Sequence, residues 1–71
     1  MDRDEYLAIC KKNAMEYFND GDLANAVTSM LSDLSKHPEL KGIGEKMAPV
    51  GMMFLINYDE RGIKGFIEGF R

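Results

Sequence analysis

The stretch NDGDLANAVTSMLSDL, residues 19–34, decides the fold. Gly21 is free to take the left-handed conformation that ends a helix, and the Asp22 carboxylate can accept from the first free N–H groups of the next one. From there Leu23, Ala24, Ala26, Val27, Met30, Leu31 and Leu34 recur at helical spacing. Asn25, Thr28, Ser29, Ser32, Asp33 and Lys36 take the opposite face. A helix over this stretch therefore buries one side, and the turn before it is short enough to force an antiparallel neighbour.

That neighbour lies upstream. Between Arg3 and Phe18 the apolar positions Tyr6, Leu7, Cys10, Ala14, Tyr17 and Phe18 fall three and four apart, which predicts a first helix with one inward face. The first five residues are polar enough to fray. Downstream, the second helix is expected to stop at His37-Pro38. Proline lacks a backbone donor and pushes its predecessor toward an extended conformation, while Lys36 and His37 place positive charge at the helix C-terminus.

Beyond Pro38 the pattern loosens. Gly42 and Gly44 predict a connection over Glu39 to Lys46 that turns into a third helix near Ile43 to Met47, with Pro49 opening or kinking it. Val50 to Ile56 is apolar on every side. That fits a central buried helix or a strand, and its Met and Leu content favours helix. Asp59 then caps a fourth helix whose Ile63, Phe66, Ile67 and Phe70 repeat at helical spacing. Gly62, Gly65 and Gly69 each weaken that helix by up to about 1 kcal/mol relative to alanine, so it needs packing, and two of them suit a close helix contact. The fold class expected is all-α, a compact single-domain bundle of three to four helices over residues 1–71.

The 71 residues are 45% apolar and 30% charged, the composition of a folded domain close to the lower size limit for a self-sufficient core. Chains of this length lean on disulfides, a structural metal or oligomerisation. Cys10 is the sole cysteine and His37 the sole histidine, so an internal disulfide and a four-ligand zinc site are excluded and oligomerisation remains. A formal charge of −3 opposes direct nucleic-acid binding. The acidic N-terminus from Met1 to Glu5 is unlike a secretory leader, and no apolar run approaches a bilayer's thickness. A cytoplasmic chain without membrane contact is expected.

Catalytic chemistry finds no constellation. His37 with Ser35 or Cys10 lacks a third orienting group, and Cys10 belongs to the apolar face of the first helix. Asn19, Asp20 and Asp22 miss the spacing of a calcium loop and read as helix caps, as do the carboxylate pairs Asp2 with Asp4 and Asp59 with Glu60. Gly42-Ile43-Gly44-Glu45-Lys46 lacks the strand and the full spacing of a phosphate loop. No cofactor or metal is expected.

Tyr17, Gly21-Asp22, Ala26-Val27, Leu34 and Pro38 together resemble one tetratricopeptide unit over about 30 residues. Asp33 stands where that repeat prefers a small residue, and Leu55 stands one repeat length beyond Gly21, so no second copy follows. The resemblance implies a helical hairpin. Across most of the chain, Gly21-Asp22-Leu23, Asn25-Ala26-Val27, Lys36-His37-Pro38-Glu39, Gly51-Met52-Met53 and Phe66-Ile67-Glu68-Gly69-Phe70 resemble small uncharacterised proteins of phage and bacterial genomes. That likeness implies a phage or prophage setting, in which compact acidic proteins often block host enzymes or defence complexes.

The expected function is non-catalytic. The chain should bind a protein as a regulator or inhibitor, acting by steric occlusion, or else assemble as a structural homo-oligomer with no foreign partner. A helix at Val50 to Ile56 has too few neighbours in so small a domain to cover all its sides, so Met52, Met53 and Phe54 are the expected partner-binding residues.

Overall fold

A computed structural model describes residues 2–70; Met1, at the head of the acidic stretch Met1 to Glu5, lies outside them. Four helices follow one another: α1 (Arg3–Asn19), α2 (Leu23–Ser35), α3 (Lys41–Ile56) and α4 (Glu60–Glu68). No strand occurs among the described residues.

The hairpin of α1 and α2 is built as its sequence dictates. Gly21 takes a φ of +81°, and Asp22 Oδ1 accepts from Asn25 N–H at 3.1 Å. At the start of α1, Asp2 Oδ1 caps the helix by accepting from Glu5 N–H at 2.8 Å. Leu7, Cys10 and Ala14 of α1 meet Ala26, Val27, Met30 and Leu34 of α2 in one buried cluster. Two expected inward residues face out instead: Ala24 and Tyr17 are exposed.

The hairpin is tied across its far end by Tyr6, whose hydroxyl donates to the Asp33 carbonyl at 2.6 Å and whose ring lies 5.0 Å from that of His37. α2 stops at Ser35, His37 N–H donates to the Leu34 carbonyl at 3.2 Å, and His37 Nδ1 accepts from Glu39 N–H at 3.1 Å, inside the turn around Pro38. The His37 carbonyl then accepts from Leu40 and Lys41 N–H, so this turn winds straight into α3.

The connection expected over Glu39 to Lys46 is therefore mostly helix. Gly44 tolerates helical conformation because it is buried against α2, where a Cβ would stand 3.1 Å from Leu34 Cβ. Pro49 neither opens α3 nor ends it but lies within. Its missing N–H frees the carbonyl of Glu45, an exposed residue that water can satisfy.

After Ile56 the chain reverses through Asn57 and Tyr58, and Tyr58 adopts a φ of +51°. Asp59 caps α4 by accepting from Gly62 N–H at 2.9 Å. Ile63, Phe66, Ile67 and Phe70 are all buried, and α4 lies against the other three helices.

Candidate functional site

The site is set by an inversion in α3. A helix normally turns its large apolar residues inward, but the residues that α3 buries are Gly44 and Gly51. A Cβ at Gly51 would stand 2.9 Å from Phe66 Cζ and 3.0 Å from Val27 Cγ1, so α2 and α4 close directly onto the α3 backbone. Ile43, Met47, Phe54 and Leu55 pack half-buried against the core, and the remaining large side chains of α3 are left outside. Val50 is 38% exposed, Met52 50%, Met53 62% and Ile56 78%. The expectation of a central buried helix over Val50 to Ile56 is met only in part: the segment is a helix with Gly51 buried and Phe54 and Leu55 half-buried, but its other side faces out.

Beside this exposed edge runs a groove of about 480 Å³ between α3 and α4. Ile43, Met47, Val50 and Phe54 form one wall, spaced by four, three and four residues so that they share a face of α3. Phe66 and Phe70 form the base, with their rings edge to face at 5.0 Å, and Phe54 meets Phe66 at 6.3 Å in the same manner. The other wall is α4, where Gly62, Gly65 and Gly69 leave bare backbone. Among the described residues every one that lines the groove is apolar or glycine, so none of their side chains offers a polar group to orient a small ligand.

The glycines of α4 differ in purpose. A Cβ at Gly62 would collide with Phe54 Cδ1 at 2.5 Å, so this glycine admits the ring. Gly69 ends the helix, its N–H donating to the Gly65 carbonyl at 2.8 Å. At Gly65 a Cβ would meet nothing within 4 Å.

Of the three residues singled out from sequence, Phe54 lines the groove and is half-buried, and Met53 stands on the exposed edge. Met52 lies two positions from Phe54, nearly opposite it around the helix, so the three do not share one surface. Sequence reading missed Ile43, Met47, Val50, Gly65, Phe66 and Phe70 as groove residues. The spacing from Ile43 to Phe54 carried the signal, and Pro49 hid it by breaking the stretch in two.

Elsewhere the chemistry is quiet. Cys10 is in the core, where burial and then the nearby Asp33 carboxylate push its thiol above the ordinary range and away from the nucleophilic thiolate. Tyr6 is raised for the same leading reason, with Cys10 and Asp33 adding to it. Among the described residues no group of three or more His, Cys, Asp or Glu side chains is placed to hold a metal ion, and no helix is long and apolar enough to cross a membrane.

No protein-family model, curated protein or solved structure matches this chain.

Proposed function

We propose that this chain is a non-catalytic protein-binding regulator or inhibitor that works through the α3/α4 groove and the exposed edge of α3 beside it. The observation that carries the reading is the packing of α3, which buries Gly44 and Gly51 and turns Val50 and Met53 outward next to an apolar groove. Presenting large apolar side chains to water is costly, and a contiguous patch of them is the usual mark of a surface that another protein covers. Methionine suits such a surface because its unbranched, polarizable side chain adapts to the partner. Phe54, Phe66 and Phe70 supply the aromatic base on which a partner side chain would anchor.

The mechanism in this reading is occlusion: a partner segment seated in the groove is withheld from its own binding site or substrate. The phage setting implied by the sequence resemblance would make that partner a host enzyme or a defence complex. The test is capture by the tagged chain in its native host, followed by mass spectrometry, with Met53→Glu as the control. Met53 is exposed, so the variant should fold with an unchanged circular dichroism spectrum. The wild type should retain a protein in stoichiometric amount that the folded variant loses. A folded variant that keeps every partner overturns the reading.

A further inference from the structure

The turn between α3 and α4 holds the chain in a conformation that its residues do not favour. Tyr58 is the sole non-glycine residue at positive φ among the described residues, at +51°, and its side chain is left exposed. Gly21 makes the corresponding turn between α1 and α2 without that cost. From Asn57 to Arg61 there is neither glycine nor proline, so nothing in the composition of this turn stops a helix from running straight through it.

The contacts on either side of the turn have a matching spacing. α3 and α4 meet where Phe54 fits against Gly62 and where Gly51 approaches Phe66. Gly51, Phe54, Tyr58, Gly62 and Phe66 follow one another at intervals of three, four, four and four residues. With the turn made helical, these five form one stripe covering about a third of the circumference of a helix that runs from Lys41 to Glu68. Two such helices laid antiparallel make the same pairs between chains, Phe54 with Gly62 and Gly51 with Phe66. The two copies of Tyr58 then face each other at the two-fold axis.

We propose that this chain forms a dimer by exchanging α4: the turn around Tyr58 becomes helix, and α4 of each copy takes the seat that α4 of the other occupies in the monomer. The contacts of the seat are kept, since Ile63, Phe66, Ile67 and Phe70 are buried against the other three helices in either form. What changes is the turn. Tyr58 returns to the right-handed region, and its exposed ring gains cover against its mate. The Asp59 cap on Gly62 N–H is given up, and that N–H joins the helix. Gly62 and Gly65 make α4 too weak to nucleate alone, whereas growth from the end of α3 supplies the nucleus. The exchange is independent of what the groove binds, because each groove is rebuilt from α3 of one copy and α4 of the other.

Release of α4 uncovers its buried apolar side chains, so exchange is slow in the cold and fast near the unfolding midpoint. The test holds the full chain at millimolar concentration just below its thermal midpoint, then cools, dilutes and separates it by size exclusion. A species of twice 8.0 kDa should appear and should return to monomer only on rewarming. In a chain carrying Cys10→Ala, Lys11→Cys and Glu68→Cys, a short bis-maleimide bridges α1 to the end of α4, because Lys11 Nζ donates to the Glu68 carbonyl at 3.0 Å. Denaturing electrophoresis should find that bridge between two chains in the dimer fraction and within one chain in the monomer fraction.

Tyr58→Gly relieves the turn without exchange and should lower the dimer fraction about tenfold or more, whereas Asp59→Ala removes the monomer's cap and should raise it about tenfold. A wild type that stays at 8.0 kDa after this treatment overturns the proposal. So does a dimer whose bridges lie within single chains, or a folded Tyr58→Gly chain that dimerises as fully as wild type.

Discussion

The α1/α2 hairpin and the α3 helix solve opposite problems with similar composition. In the hairpin Leu7, Met30 and Leu34 point inward, polar residues point outward, and Asp2, Gly21 and Asp22 close the helix ends. In α3 the fully buried positions are glycines, with Ile43, Met47, Phe54 and Leu55 only half-buried beside them, the outward ones are Val50, Met53 and Ile56, and the helix begins at Leu40 with no side-chain cap. The first arrangement is what a chain needs in order to fold. The second gives away burial that a small domain can ill spare.

Removing bulk from each region should therefore have contrasting effects, and the largest lies in the hairpin. Met30 is fully buried where α2 meets the rest of the core, so Met30→Ala is expected to cost about 2–5 kcal/mol through lost burial and a residual cavity. Urea unfolding followed by circular dichroism measures it. A loss under about 1 kcal/mol would mean that the hairpin is not the foundation of the fold.

Adding bulk should be the corresponding injury to α3. Gly51→Ala places a methyl 2.9 Å from Phe66 and 3.0 Å from Val27. Overpacking costs about 1–3 kcal/mol, and the better helix propensity of alanine returns up to about 1 kcal/mol, so a net loss of about 1–2 kcal/mol is expected in the same assay. A gain in stability would show that α3 is not held by close backbone contact. The comparison with Gly65→Ala is sharp because the same substitution, one helix further on, falls where a Cβ meets nothing within 4 Å and should change sign.

These contrasts also explain what could be read from the sequence. Periodicity places α1, α2 and α4 because their large apolar residues do the packing, and Gly21, Asp22 and Asp59 mark the boundaries by their own backbone and hydrogen-bonding chemistry. The same rule fails in α3, where it assigns Val50 to Ile56 to the interior although Gly44 and Gly51 hold it. A glycine in a pattern is read as a weak point, and whether it is instead a contact depends on a neighbour distant in sequence, such as Leu34 for Gly44 or Phe66 for Gly51. The candidate site was legible only in part for that reason. Too few neighbours around Met53 pointed to a free surface, but the groove needs the register of α4 against α3, which no local pattern specifies.

The turn between the two C-terminal helices offers a smaller test, this time a gain. Tyr58 holds a φ of +51° and is 82% exposed, so it bears the cost of the left-handed region with little packing in return. Relief of about 1–2 kcal/mol by Tyr58→Gly is partly offset by the greater freedom of glycine in the unfolded chain, and a net stabilisation of about 0.5–1 kcal/mol is expected. Thermal unfolding at low concentration reads it. If Tyr58→Gly destabilises the monomer, the tyrosine ring is part of the fold, and the free surface ends before Tyr58.

The smallest expected effect is the most direct measure of the inversion. Ile56 is the last residue of α3 and is 78% exposed. In an ordinary amphipathic helix, Ile→Gln at an apolar position would remove buried area and strand a polar amide. Here the side chain already lies in water, and glutamine is the slightly better helix former, so Ile56→Gln should leave stability within about 0.5 kcal/mol of wild type. Ile63→Gln supplies the control from α4, where the same change falls on a fully buried residue and should be severely destabilising. Both are measured by urea unfolding of dilute protein, at concentrations where the wild-type midpoint does not change with dilution, so that association does not enter. A loss above about 1 kcal/mol at Ile56 would mean that its side chain is covered within one chain. That end of α3 would then be core, and the exposed ridge of the helix would shrink to Val50 and Met53.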